Sequence, residues 1–224
     1  MTQFAAARPP ALVINVNQAQ LDEAQRLLDG LHIRGGMRRA IVRALNRVAE
    51  RTKGRVAREL RRLIANEKLQ LSGIRGSIRV IKARLGHGTH SGDGVARVRI
   101  RGAGIPLLKL GARQTAKGVV FWPTSDRREV IEHAFIAVMP KGGRKGVFLR
   151  RGRSRLPIVE QRGPSLASLF VGTPDLVART HAEAMADLDR EIIQQVRVEI
   201  DRHAAAHPYS RVAAMRTAAM ATGG

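Results

Sequence analysis

The chain has 224 residues, 44% of them hydrophobic and 3% aromatic, with no cysteine, and its 40 Lys and Arg against 18 Asp and Glu give a net charge of +22. These figures exclude a disulfide scaffold, thiol chemistry and wholesale disorder, and they require a core of Leu, Ile, Val and Ala rather than of rings. No apolar run approaches the ~20 residues that cross a bilayer, and MTQFAAARPPALVINV lacks the basic-then-apolar order of a signal peptide, so a soluble and unprocessed protein is expected.

In chain order, residues 1–17 read as an N-terminal extension. A short amphipathic helix is expected from Gln18 to Leu31, with Leu21, Ala24, Leu27 and Leu28 on one face. After a break at Gly35-Gly36, a long helix runs from Met37 to Ile64. Ile41, Leu45, Val48, Thr52, Val56, Leu60 and Leu63 recur at spacings of three or four, and Arg43, Arg47, Arg51, Arg55, Arg58 and Arg62 take up much of the remaining circumference. One face of this helix is a core stripe and the other a basic ridge.

Residues 74–162 read as sheet. Strands are expected at Ile74–Arg84, Val95–Arg101, Val119–Trp122, Ala134–Met139, Val147–Arg150 and Leu156–Gln161. The second is the clearest, because Ala96, Val98 and Ile100 alternate with Arg97, Arg99 and Arg101. Turns such as PKGGRKG, and the loop GHGTHSGDG, separate the strands in the manner of an antiparallel meander. The charged run Asp126-Arg127-Arg128-Glu129 reads as a turn, and His133 as a structural or interfacial residue before a strand.

A short helix at Ser165–Val171 and a long one towards His203 complete the pattern. Thr173 is placed to cap the second and Pro174 to open it. Its stripe is Leu176, Thr180, Met185, Leu188, Ile192, Val196 and Ile200, and Pro208 ends it. The fold class is α+β, an antiparallel β-sheet flanked by a long helix from each half of the sequence. The division is an extension at 1–17, a single α+β domain at 18–205 (helical 18–66, sheet 74–162, helical 165–205) and a flexible tail at 206–224.

The charge is uneven. Arg34 to Arg162 holds 32 Lys and Arg against 8 Asp and Glu, while the rest holds 8 against 10. So concentrated a field attracts polyanions, DNA or RNA above all; a merely solvated surface is the plainer alternative. Chemistry is harder to find. His87, His90 and Asp93 form one compact cluster, but the spacing fits no closed zinc pattern and four glycines surround it. Neither RGAGIPLLKLGAR nor GRKGVFLRRGR has the order or context of a phosphate loop. A nuclease would need clustered acids for Mg²⁺, and Asp93, Asp126, Glu129, Glu132 and Glu160 form no pair in sequence. No enzyme, cofactor or metal is expected. Single-strand binders stack bases on aromatics, and Trp122 and Tyr209 are alone of their kinds beside five Phe, which leaves sequence-independent backbone electrostatics.

The order of several segments is specific when taken together. Asn46-Arg47-Val48-Ala49 lies on the long helix, followed by IPLLKLG at Ile105–Gly111, Ala134-Phe135-Ile136 and Leu156-Pro157-Ile158. Over residues 37 to 205 the chain resembles the minor tail protein Z family of tailed phages and prophages, also described as tail completion proteins. The resemblance implies a structural virion protein with no catalytic motif, assembled in the host cytoplasm into a six-fold ring at the head-proximal end of a long tail. Implied partners are further copies of itself, the tail terminator, tail tube or head-tail connector, the tape-measure protein and genomic DNA in the lumen, with no membrane. Arg43, Arg47, Arg51, Arg58, Arg97, Arg99, Arg101, Lys145, Arg150, Arg151 and Arg153 are the candidate residues for facing DNA or a neighbouring subunit. The competing reading is a free basic protein that binds nucleic acid without regard to sequence.

Overall fold

Helix α1 (Gly36–Ile64) buries Met37, Ala40, Ala44, Leu45, Val48, Ala49, Thr52, Val56, Ala57, Leu60 and Ile64 along one stripe, which is why 29 residues rich in arginine hold a single helix. The computed structural model in which it is seen describes residues 11–14, 36–64, 69–84, 95–140 and 142–207. The helix expected at Gln18–Leu31, the GHGTHSGDG loop with His87, His90 and Asp93, and the tail from 208 lie outside the described residues.

The other elements are β1 (Ala11–Ile14), α2 (Leu71–Gly76), β2 (Ile78–Ile81), β3 (Ala96–Ile100), β4 (Gly104–Pro106), a 3₁₀ turn (Leu107–Leu110), β5 (Arg113–Thr115), β6 (Gly118–Phe121), β7 (Glu129–Glu132), β8 (Phe135–Val138), β9 (Lys145–Arg150), β10 (Ile158–Glu160), β11 (Arg162–Ser165), α3 (Leu166–Val171) and α4 (Pro174–Ala206). The fold is α+β with long helices early and late in the chain and small antiparallel sheets in the middle. Those sheets have the orders β1-β3-β2, β5-β6-β7, β10-β9-β8 and β11-β4.

Two expectations about the strands change. The strand expected at Ile74–Arg84 divides into α2 and β2, because Ser77 closes a helical turn by donating its N–H to Gly73 and Ile74 carbonyls at 3.3 and 3.0 Å. Ile74 and Ile78, four residues apart, are both buried by this turn. The charged run before Val130 is also not only a turn, since Glu129 begins β7. That strand hides from pattern reading because Val130 is 47% exposed while Glu129 and Ile131 are half-buried.

The chain divides into two compact units. Among the described residues, one contains 11, 53–64, 69–79, 99–140 and 142–178. Its core is Val56, Leu60 and Ile64 of α1, Leu107 and Leu110, Val119 to Phe121 of β6, Val147 and Phe148 of β9, and Leu166, Ala167 and Phe170 of α3. Gln114 ties β5 to β8: its Oε1 accepts from the Ile136 N–H at 2.8 Å and its Nε2 donates to the Ala134 carbonyl at 3.2 Å. Gly118 opens β6 at φ 149°, and a Cβ there would stand 2.1 Å from the Ile131 carbonyl oxygen. Ser165 caps α3 by accepting from the Ser168 N–H at 3.0 Å. Thr173 does not offer its hydroxyl to α4 as expected. That hydroxyl donates to the Leu169 carbonyl at 3.1 Å, and the Thr173 carbonyl accepts from Leu176 and Val177.

The other unit contains, among the described residues, 12–14, 36–52, 80–84, 95–98 and 179–207. Here Ala40, Ala44, Leu45, Val48 and Ala49 of α1 and Ala184, Leu188, Ile192 and Val196 of α4 are buried. Four polar residues of α4 are buried with them, Thr180, Glu191, Gln195 and Glu199, each no more than 3% exposed.

Candidate functional site

Arg39, Arg43, Arg47 and Arg51 repeat every four residues on α1, and Glu191, Gln195 and Glu199 repeat every four on α4. Residues four apart share one helix face, so two such rows can meet as a ladder. Arg39 Nε donates to Glu199 Oε2 at 2.9 Å, and Arg43 pairs with Glu199 through Nη2. Arg43 Nε also donates to Gln195 Oε1 at 2.9 Å, and Gln195 Nε2 passes the chain on to Glu191 Oε1 at 2.8 Å. Glu191 then holds Arg47 at 3.2 Å and Arg51 at 2.8 Å, one on each oxygen. The rows run in opposite senses, 39 facing 199 and 51 facing 191, and one continuous polar network results.

The electrostatics follow from burial. Lost hydration pushes the Glu199 carboxyl up, but hydrogen bonds from Arg43 and Arg39, with their charges, hold it below the ordinary glutamate value. The carboxylates are buried while Arg47 and Arg51 keep 54% and 53% exposure, so the guanidinium groups span from the interior to solvent. An open cleft of about 400 Å³ lies beside them, lined by Asn46, Arg47, Glu50, Arg51 and Lys82. Asn46 fixes one wall of it. Its Oδ1 accepts from the Ala83 N–H at 2.8 Å while its Nδ2 donates to the Ala83 carbonyl at 3.1 Å.

The remaining candidates lie elsewhere. On β3 the expected alternation is present: Ala96, Val98 and Ile100 are buried, Arg97 is half-buried, and Arg99 and the following Arg101 are exposed. Arg58 is exposed on α1 and Lys145 at the start of β9. Arg150, Arg151 and Arg153 are exposed at and beyond the end of β9, where Arg150 lies 5.4 Å from the centre of the Phe135 ring. The structure thus joins Arg43, Arg47 and Arg51 in one network and puts Arg150, Arg151 and Arg153 on one hairpin. Glu191, Gln195 and Glu199 were missed in the sequence; their spacing of four, matching that of the arginines, is the signal that could have found them.

Among the described residues no three His, Asp or Glu side chains are placed to hold a metal, and no helix is long and apolar enough to cross a membrane.

The chain is a structural protein of the phage tail, associated with the virion: a family model described as prophage minor tail protein Z matches residues 20–202, which include both rows of the ladder and the basic hairpin. It belongs to the prophage minor tail protein Z family. No curated protein and no solved structure matches it.

Proposed function

We propose that this chain is a tail completion subunit, one of a six-membered ring at the head-proximal end of a long tail, where it helps to join the tail to the DNA-filled head and to pass DNA. The family match over residues 20–202 is the observation that carries the reading. Charge supports it, because the net +22 lies in the middle of the chain and suits a subunit near DNA or acidic neighbours. Its neighbours in this reading are its own copies, the tail terminator, the tail tube or head-tail connector and the tape-measure protein. Arg58, Arg97, Arg99, Arg101, Lys145, Arg150, Arg151 and Arg153 line the lumen or a subunit contact, and Arg43, Arg47 and Arg51 add the exposed half of the ladder.

A closed ring covers on each subunit flanks that a monomer leaves to solvent. The test is to locate the chain in a reconstructed particle and to delete its gene. Six-fold density between the tail tube and the head, and tails that form without yielding infectious particles, are the expected results. Density at the distal end, or normal infectivity after deletion, overturns the reading.

A further inference from the structure

The basic residues have two different fates in the fold, and the difference shows where a polyanion can be met. Arg39, Arg43, Arg47 and Arg51 are held by Glu191 and Glu199, and much of their charge is spent inside the chain. The hairpin of β9 and β10 is built the other way. Its ladder ends with Arg150 opposite Ile158, and the Arg151 N–H donates to the Pro157 carbonyl at 3.2 Å, closing the loop of residues 151–157. Every residue from Arg150 to Pro157 is exposed. Glu160, the acidic residue of β10, is already engaged by Arg144 and by Arg162, the latter at 3.5 Å. Among the described residues no carboxylate pairs with Arg151, Arg153 or Arg155.

We infer that the Arg150–Arg155 arm is a phosphate-gripping element that binds the backbone of double-stranded DNA, with Arg151, Arg153 and Arg155 as its contacts. Guanidinium groups without an internal partner can take phosphate oxygens two at a time and release the counterions of the duplex, with no ion pair to break first. Gly152 and Ser154 stand between the arginines and leave each one unobstructed. Arg150 covers the face of Phe135, so the arm offers no free ring for base stacking. Contact with the backbone, indifferent to sequence, is the mode that fits. A protein-docking loop would carry an apolar centre, and this one has Leu156 alone, 67% exposed, beside its proline. The inference deepens the proposed function and rests on it only for the presence of DNA in the tail.

The test measures fluorescence anisotropy of a labelled 30-base-pair duplex with the full chain over a range of salt. Arg151→Gln/Arg153→Gln/Arg155→Gln should bind about 10- to 100-fold more weakly in 0.1 M salt and flatten the plot of log affinity against log salt by about 2.7, from ~0.9 per phosphate contact. Arg75→Gln/Arg79→Gln/Arg84→Gln removes equal charge from exposed positions and should change affinity by less than about threefold. Replacement of the arm arginines by lysine should keep most of the slope. If the triple variant does not fold, Arg151→Gln and Arg153→Gln singly should each lower the slope by about 0.9. Equal loss in the control set, or no duplex binding by the wild type, overturns the inference. Mass spectrometry of purified particles, run alongside, separates the two ideas. A wild-type chain absent from particles sinks the tail reading whatever the DNA result. An arm variant that binds duplex normally but is left out of particles shows that the arm docks on protein, and overturns the inference alone.

Discussion

Arg43 and Glu199, 156 residues apart in the chain, form an ion pair in which the glutamate side chain is 3% exposed and the arginine side chain 27%. The pair fixes the register of α1 against α4, because Arg39 reaches the other oxygen of the same carboxylate from the preceding turn. Removing the acid leaves two guanidinium groups facing a partly dry interior. Breaking a fully buried pair costs about 3–5 kcal/mol. Arg39 is 45% exposed and can turn to water, so Glu199→Ala is expected to cost about 2 kcal/mol, with Glu199→Gln at roughly half that because an acceptor remains. Urea unfolding monitored by far-ultraviolet circular dichroism checks both, and midpoints unchanged from wild type would refute the role of the pair.

The same carboxylate makes the stability of the helix pair depend on pH. Its pKa is held down in the folded state by Arg43 and Arg39, so its contribution is fully present above the unfolded value of ~4.3 and is lost as pH falls through the lower, folded value. The wild type should therefore lose its advantage over Glu199→Gln below about pH 4, and the two unfolding midpoints should converge there. A constant gap between pH 7 and pH 3 would mean that the carboxylate is not the group responsible.

Asn46 gives a sharper test of side-chain recognition by backbone. The Asn46 carboxamide accepts from the Ala83 N–H and donates to the Ala83 carbonyl through two separate atoms at once. Asn46→Asp keeps the acceptor and loses the donor; Asn46→Leu loses both and leaves two backbone groups without partners. The expected costs are about 1 and about 2–3 kcal/mol respectively. Hydrogen exchange reports the cause directly, since the Ala83 amide should be protected in the wild type and lose that protection in Asn46→Leu.

What the sequence discloses and what it hides can be seen on the two long helices. The bounds of α1 and the Thr-Pro start of α4 are legible because periodicity and local chain stiffness act within a few residues. The alternation of β3 is legible for the same reason. Glu191 and Glu199 are not, since a carboxylate breaks the apolar stripe and pattern reading turns it to solvent. Its burial makes sense only once an arginine from residues 39–51 is known to face it, and that is a long-range fact. Arg47 and Arg153 look alike in composition and charge; one is held by Glu191 and the other has no carboxylate partner among the described residues. A short strand such as β11, with the sequence RGPS, carries no period at all, because two pairs and an irregularity between them hold it against β4.

Gly118 and Gly142 both have positive φ, at 149° and 85°, yet they should respond very differently to alanine. At Gly142 nothing lies within 4 Å of the added carbon, so only backbone strain is felt, about 1 kcal/mol. At Gly118 the added carbon would meet the Ile131 carbonyl oxygen at 2.1 Å and the Glu132 Cα at 3.0 Å. Both belong to β7, which pairs with β6 in register Gly118 to Glu132, so the strand can give way only by breaking its own ladder. Gly118→Ala should therefore cost about 3 kcal/mol or more and raise hydrogen exchange across β6 and β7. Gly142→Ala should leave exchange in those strands unchanged. Equal destabilisation by the two substitutions would show that φ alone, and not the close approach of β7, demands glycine at position 118.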